Sequence, residues 1–447
     1  MTGSPDFRSV LARYLMDRRS LLKGGAALGT AGLVGGLPAV GLDRALAQDA
    51  VELSFYHDKT PWDDFFKEVG DMAKTSIGVG WETSPYGDTT SYQAAVLAAL
   101  PTSDTPDFIT WWSGFRIEDL YNEGVLEDVS DIWTQAIADG NLVESLAGGF
   151  TFNGTQCAVP TAASFWVTFY NKKVFADNNL TVPTTWAEYT NVCETLKAAG
   201  VTPLGASQVG RWPAFIIFQD MVLHTDPVFY NDLMAGKAKY TDDTCKQAMT
   251  TWKTMIDAGY YTSFDSDLFA DVPGQFQSGD VAMLPIGTWY QSTFTGLDMV
   301  PGTDYDIFLT PNITDGLTAK SVIVETGALA IAKNSGKIDD AKKMANFWIS
   351  PDTNTFFANK LGDTPFNPKS TSENVANAGL LKTVADESYT LYQRYWEASP
   401  VPIVEGAVDF LAEFMLDTSK LDDVLQKIQN LADTEWAKRE SDATPTT

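Results

Sequence analysis

The side chains that carry most metal and nucleophilic chemistry near neutral pH are scarce in this sequence. Two histidines, His57 and His224, and three cysteines, Cys157, Cys193 and Cys245, occur among 447 residues. The cysteines have no metal-ligand spacing, and there is no G-x-S-x-G elbow, no P-loop, no H-E-x-x-H and no G-x-G-x-x-G after a strand. A histidine-based triad or a metal centre finds no support in this inventory, and no cofactor is expected. His224 closes the apolar run Phe215–Leu223 and reads as a packed helix residue, whereas His57 ends the first strand-like run and stays a candidate. Cys193 shares a helical stripe with Trp186, Tyr189 and Leu196, which predicts a buried thiol, and three cysteines allow at most one bridge.

Tryptophan, by contrast, is abundant, with thirteen residues. Trp186, Trp252, Trp348 and Trp436 recur at helical spacing with other apolar residues and predict core. A second set sits where strands end and loops begin, the edge at which open α/β sheets bind ligands. It comprises Trp62, Trp111, Trp112, Trp166, Trp212 and Trp289. Indole faces suit the apolar C–H face of a pyranose ring, and ring hydroxyls then need a few placed polar partners at the rim. The polar candidates beside these tryptophans are His57, Glu82, Tyr86, Arg211 and Glu325. For any one tryptophan core packing competes with this reading; the set as a whole points to an aromatic cleft.

The elements that must position these residues alternate between strand and helix patterns. Strand-like runs at Val51–Tyr56, Ile77–Glu82 and Phe108–Trp112 are followed by helical patterns from Trp62, from Thr89 and near Arg116. Such alternation predicts parallel α/β structure. A second α/β region starts after Val159-Pro160, and Thr185 with Glu188 forms a capping box for a helix that runs to Gly200. Later apolar stripes run from Ile338 to Ile349 and from Leu421 to Trp436, and only the tail 441–447 reads as disordered.

Length and charge narrow the class. With 44% hydrophobic residues the chain is too apolar to be disordered, and its length suits two or three domains. A net charge of -27 repels phosphate backbones and anionic lipids, so neither nucleic acid nor membrane is expected as a partner. Residues 1–47 carry a net +3, which leaves -30 on the remaining 400. Their run Asp17-Arg18-Arg19-Ser20-Leu21-Leu22-Lys23, the Gly/Ala-rich stretch Gly24–Val40 and Ala45-Leu46-Ala47 resemble a twin-arginine export signal cleaved after Ala47. No cysteine near that point could carry a lipid, so a free periplasmic or extracellular protein is expected, as a monomer.

Several segments in order carry a family resemblance. Pro106-Asp107-Phe108-Ile109-Thr110-Trp111-Trp112-Ser113-Gly114 with Gly124-Val125-Leu126, Ala158-Val159-Pro160 with Tyr170-Asn171-Lys172-Lys173-Val174-Phe175, and Pro183-Thr184-Thr185-Trp186 are the first three. Phe276-Gln277-Ser278-Gly279-Asp280-Val281-Ala282-Met283 with Gly287-Thr288-Trp289, and Thr326-Gly327 onward, complete the set. Together these resemble the bacterial extracellular solute-binding proteins of family 1, the maltose-type sugar binders of ABC importers.

The resemblance implies a two-lobed α/β clamp of the periplasmic-binding-protein type (type II-like), with a cleft between lobes and a hinge of crossing segments. The lobes would take residues 51–158 plus 325–375 and 159–324 plus 376–440. The resemblance implies that the lobes close about this hinge around the ligand. His57-Asp58-Lys59 matches the family's sugar-hydroxyl segment, and Trp111, Trp289 and Trp212 match its ring-stacking aromatics. Ser164 stands where maltose-type binders have Glu, which counts against a maltodextrin. The implied function is capture of a mono- or oligosaccharide for the permease subunits of an ABC transporter, without catalysis. Two readings of another class compete: a secreted glycoside hydrolase using paired carboxylates, and a binder of a cationic ligand such as a polyamine, suggested by the acidity.

Overall fold

A computed structural model describes residues 50–442; the stretch 1–47, expected to be a twin-arginine export signal, and residues 443–447 of the tail lie outside them. The strands in chain order are β1 (Val51–His57), β2 (Val79–Pro85), β3 (Phe108–Trp112), a short hairpin of β4 (Thr151–Phe152) and β5 (Thr155–Gln156), β6 (Val159–Asn171), β7 (Thr202–Leu204), β8 (Val281–Gly287), β9 (Tyr305–Phe308), β10 (Ser321–Ile331) and β11 (Thr390–Gln393). Helices fill the intervals and are named below by their residues.

The strand order β2-β1-β3-β10-β6-β8-β7 divides at its centre. β1 pairs in parallel with β2 and β3, and β10 closes this half by running antiparallel to β3 through Gly327–Ile331. In the other half β8 pairs in parallel with β7 and antiparallel with β6. β6 serves both halves: its first part, Val159 to Phe165, lies against β10, and Trp166 to Asn171 lie against β8 and β9. β10 does likewise, since Ser321–Val324 pair with β11 before the strand reaches β3. Two long strands therefore cross between two lobes. Both are buried along nearly their whole length, and polar residues they carry, such as Ser164, Thr168 and Thr326, are buried with them.

Local chemistry accounts for most boundaries. The predicted capping box is present, with Thr185 Oγ1 accepting from the Glu188 N–H at 3.2 Å, and the helix it opens spans Trp186–Ala198. The run Ile77–Glu82 needs correction. Ile77 ends the helix Asp63–Ile77, Gly78 caps it in the left-handed region at φ 70°, and the strand begins at Val79. The last helix, Leu421–Asp442, also continues past Glu440, the residue at which the sequence predicts order to end. Arg439 fastens this end, donating to Glu435 at 2.8 Å and to Glu118 at 3.3 Å.

The three cysteines are buried and unpaired, and His224 is buried in the helix Phe215–Thr225. Burial of that imidazole pushes its pKa down to about 4, so it packs as a neutral ring. Among the described residues no helix is long and apolar enough to cross a membrane, and no cluster of His, Cys, Asp or Glu could hold a metal ion.

Candidate functional site

The carboxyl ends of β1, β3 and β8 converge on one cleft between the lobes, where open parallel sheets place their ligands. β1 delivers Asp58 and Lys59, the turn after them Trp62, β3 delivers Trp112, and the segment after β8 delivers Trp289, Ser292 and Thr293. The cleft encloses about 100 Å³, and about 680 Å³ when counted out to its open mouth.

β10 forms the floor. The two-residue period of the strand turns Glu325 into the cleft and Val324 and Thr326 onto a groove behind it. Glu325 Oε2 gathers three donors: Arg394 Nη1 at 2.7 Å, the Trp289 indole N–H at 2.9 Å and the Trp166 indole N–H at 3.3 Å. Arg394 is itself held by Glu397, its Nε donating at 2.8 Å. Burial alone would lower the Arg394 guanidinium, but Glu325 and Glu397 outweigh it and hold it above its ordinary value, so it stays charged.

Gly287 makes the reach of Trp289 possible. A Cβ there would stand 2.3 Å from the Trp289 indole nitrogen, so only glycine lets the ring fold back over the strand end toward Glu325. This gives the Gly-x-Trp spacing a steric cause.

Aromatic rings line the remaining surface. Trp62, Trp112, Trp212, Phe215, Phe269, Trp289 and Trp396 all face the cleft, and Lys59 Nζ lies 5.3 Å from the centre of the Trp112 ring. Lys59 also pairs with Asp58 at 2.9 Å. The four charged residues lining the cleft, Asp58, Lys59, Glu325 and Arg394, thus cancel in two pairs.

Of the sequence candidates, Asp58, Lys59, Trp62, Trp112, Trp212, Trp289 and Glu325 line the cleft together. Trp166 stands behind them, its ring 6.4 Å from that of Trp289. The others lie elsewhere. His57 is fully buried; its Nδ1 accepts from the Lys59 N–H at 3.2 Å, so Nε2 carries the proton and donates to Asp63 at 3.1 Å. Burial lowers its pKa against the pull of Asp63.

Trp111 is buried and spends its indole N–H on the Arg116 carbonyl at 3.1 Å, because alternation along β3 sends it away from Trp112. Glu82 is exposed on β2, and Tyr86 packs against Tyr56 and Tyr92. Ser164 is buried beside Glu325, its partner in the register of β6 with β10, and donates to Asp363 at 2.5 Å. Arg211 turns outward to Asp409 and Glu405. Arg394, Trp396, Phe215 and Phe269 complete the cleft and were absent from the candidate set. Phe215 looks like core in the run Phe215–Leu223, and nothing local marks Arg394 or Trp396, which enter through the parallel pairing of β11 with β10.

Residues 58–355 match the family model described as bacterial extracellular solute-binding protein. The chain belongs to this family. Among its relatives is an uncharacterized ABC transporter extracellular-binding protein of Pyrococcus horikoshii, 25% identical over 219 residues, 48% of each chain. The chain thus spans about half the length of that relative. A probable sugar-binding periplasmic protein of Rhizobium meliloti is 25% identical over 299 residues, 65% of this chain and 70% of that one.

Solved members of the same fold superpose along nearly their whole length. The bacterial solute receptor AcbH, described as exclusive for β-D-galactopyranose, gives a TM-score of 0.78 at 17% identity over 86% of this chain and 99% of that one. A chitin oligosaccharide binding protein gives 0.74 at 17% identity, over 86% and 98%. The solute-binding protein RafE in complex with raffinose gives 0.70 at 16%, over 86% and 98%. This solute-binding protein therefore has the two-lobed α/β fold that its crossing strands describe.

Proposed function

We propose that this solute-binding protein captures a neutral mono- or oligosaccharide between its lobes and hands it to the permease subunits of an ABC importer. One observation carries the reading: five indoles and two phenyl rings surround four charged groups that neutralise one another. Such a site offers stacking faces and hydrogen-bonding groups without net charge, as an uncharged polyhydroxylated ring requires. Sugar ligands named for relatives and solved family members support the same class.

The work done is a population shift. Asp58, Lys59 and Thr89 come from one lobe, and Trp289, Ser292 and Phe269 from the other. A ligand touches both sets only in the closed form, so it binds that form more tightly and shifts the equilibrium by the differential affinity. Turning a mostly open population into a mostly closed one takes about 5.5 kcal/mol. The same ion pairing disfavours the competing classes. A polyamine needs carboxylates free to pair with it, and a glycosidase needs one carboxyl kept protonated beside the bond it cleaves. The N-terminal segment supports export by the twin-arginine route, and the protein would then act as a monomer in the periplasm.

Calorimetric titration with D-galactose, chitobiose, maltose and raffinose, beside putrescine and galacturonate, tests the reading. Heat with at least one neutral sugar and none with putrescine is expected, together with a smaller radius of gyration in X-ray scattering. Silence across the neutral sugars would overturn it.

A further inference from the structure

Outside the cleft, Glu405 on the helix Val401–Leu416 sits between two arginines that run to opposite aromatic walls. Its Oε1 accepts from Arg116 Nη2 at 2.8 Å, and its Oε2 from Arg211 Nη1 at 3.3 Å. Arg116 stands against the face of Trp396, its guanidinium carbon 3.5 Å from the ring centre, and donates Nε to the Trp396 carbonyl at 3.0 Å. Trp396 is one wall of the cleft.

Arg211 precedes Trp212, another wall, and occupies a strained backbone conformation. Its φ is 69° and ψ -56°, with the Trp212 N–H bonded to the Gly210 carbonyl at 2.9 Å. This is the γ-turn of positive φ, rare for a residue with a side chain. Such strain persists only where surrounding contacts over-determine it. Here the guanidinium supplies them: Nε and Nη2 grip Asp409 at 2.7 and 2.9 Å, and Nη2 also reaches the Glu405 carbonyl at 2.8 Å.

We propose that Glu405 is a positioning residue for the cleft, fixing Trp396 through Arg116 and Trp212 through Arg211 from outside the ligand's reach. Neither Glu405 nor Asp409 lines the cleft. Losing the Glu405 charge releases Arg116 at the face of Trp396 and loosens Arg211, which Asp409 and the Glu405 carbonyl still hold, whereas losing the Asp409 charge acts on Trp212 alone. Pre-set walls bind more tightly because less order has to be imposed when ligand arrives.

Fluorine spectra of the full chain labelled with 5-fluorotryptophan test this without any ligand, the two resonances being assigned by Trp212→Phe and Trp396→Phe. Glu405→Gln should shift or broaden both, and Asp409→Asn that of Trp212 alone. Glu413→Gln, on the same helix but paired with Lys420 and Lys427, should move neither. The proposal is overturned if Glu405→Gln leaves both resonances in place, or if Glu413→Gln moves them as much.

A second arm rests on the sugar reading: D-galactose or raffinose, whichever the wild type binds, should bind Glu405→Gln about tenfold more weakly, an ordinary loss of pre-organisation. Affinity equal to wild type overturns the positioning role. If the wild type binds neither sugar while the spectra move as expected, the sugar reading suffers and the positioning role stands.

Discussion

Glu325 and Trp289 meet at 2.9 Å, a carboxylate oxygen on the crossing strand taking the indole N–H of the opposite lobe's wall. The same oxygen holds Arg394 and Trp166. One hinge residue thus sets the tilt of an aromatic wall and neutralises the guanidinium beneath it.

Removing that charge while keeping its shape should cost binding before it costs folding. For Glu325→Gln, an affinity loss of about 10- to 100-fold is expected, the worth of one charge-assisted hydrogen bond at roughly 1.5–3 kcal/mol. Glu325→Ala should also lower stability by about 3 kcal/mol, because Arg394 keeps only part of its neutralisation. Titration calorimetry and denaturant melts separate the two effects, and unchanged affinity in both variants would remove Glu325 from the site.

Trp289 and Trp111 should part company. Trp289→Ala strips a cleft wall and should weaken ligand binding at least tenfold with a modest effect on melting. Trp111 is buried, so Trp111→Ala should lower stability by about 3–5 kcal/mol. If Trp111→Ala folds normally and abolishes binding, the placement of Trp111 behind the sheet is wrong.

Phe269 is 44% exposed and lies 6.1 Å from Trp289 at an interplanar angle of 32°. A ring at the mouth extends the stacking surface outward, so Phe269→Ala should weaken raffinose several-fold more than galactose, each measured against its wild-type affinity. Equal losses for the two sugars would show that the ring does not read ligand length.

Asp363 gives a pH dependence. Burial raises its carboxyl from 3.8 to about 7, against the hydroxyls of Ser164 and Thr288 and the Thr364 N–H that favour the charged form, while nearby Glu325 adds to the rise. The native state therefore binds more protons than the unfolded chain between those values, so stability contributed by Asp363 is full below pH 4 and declines as pH rises toward 7. Asp220, raised to about 7 by its own burial, acts in the same direction. The melting temperature of the wild type relative to Asp363→Asn should fall between pH 4 and about 7 and level off above that in scanning calorimetry. A difference that is constant with pH would place the titration elsewhere.

Much of this was legible in the sequence wherever local chemistry decides the outcome. The capping box at Thr185, the strand Phe108–Trp112 and the stripe Ile338–Ile349 follow from spacing alone. The family resemblance supplied Asp58 and Lys59, and the strand-end rule found Trp112 and Trp289. It could not choose between Trp111 and Trp112, since both end the same strand and only the sheet's orientation sends one to the cleft. Arg394 and Trp396 were invisible because their place depends on pairing between strands some seventy residues apart, Ser321–Val324 with Thr390–Gln393. His57 looked reactive from its position, yet Phe55 and Phe66 enclose it.

The unpaired Cys157, Cys193 and Cys245 have a further consequence. Nothing in their surroundings asks for an oxidant, so this architecture can be completed inside a reducing cell as readily as beyond its membrane. Dithiothreitol should leave its melting curve where it was, and chains folded with or without an oxidant should melt alike.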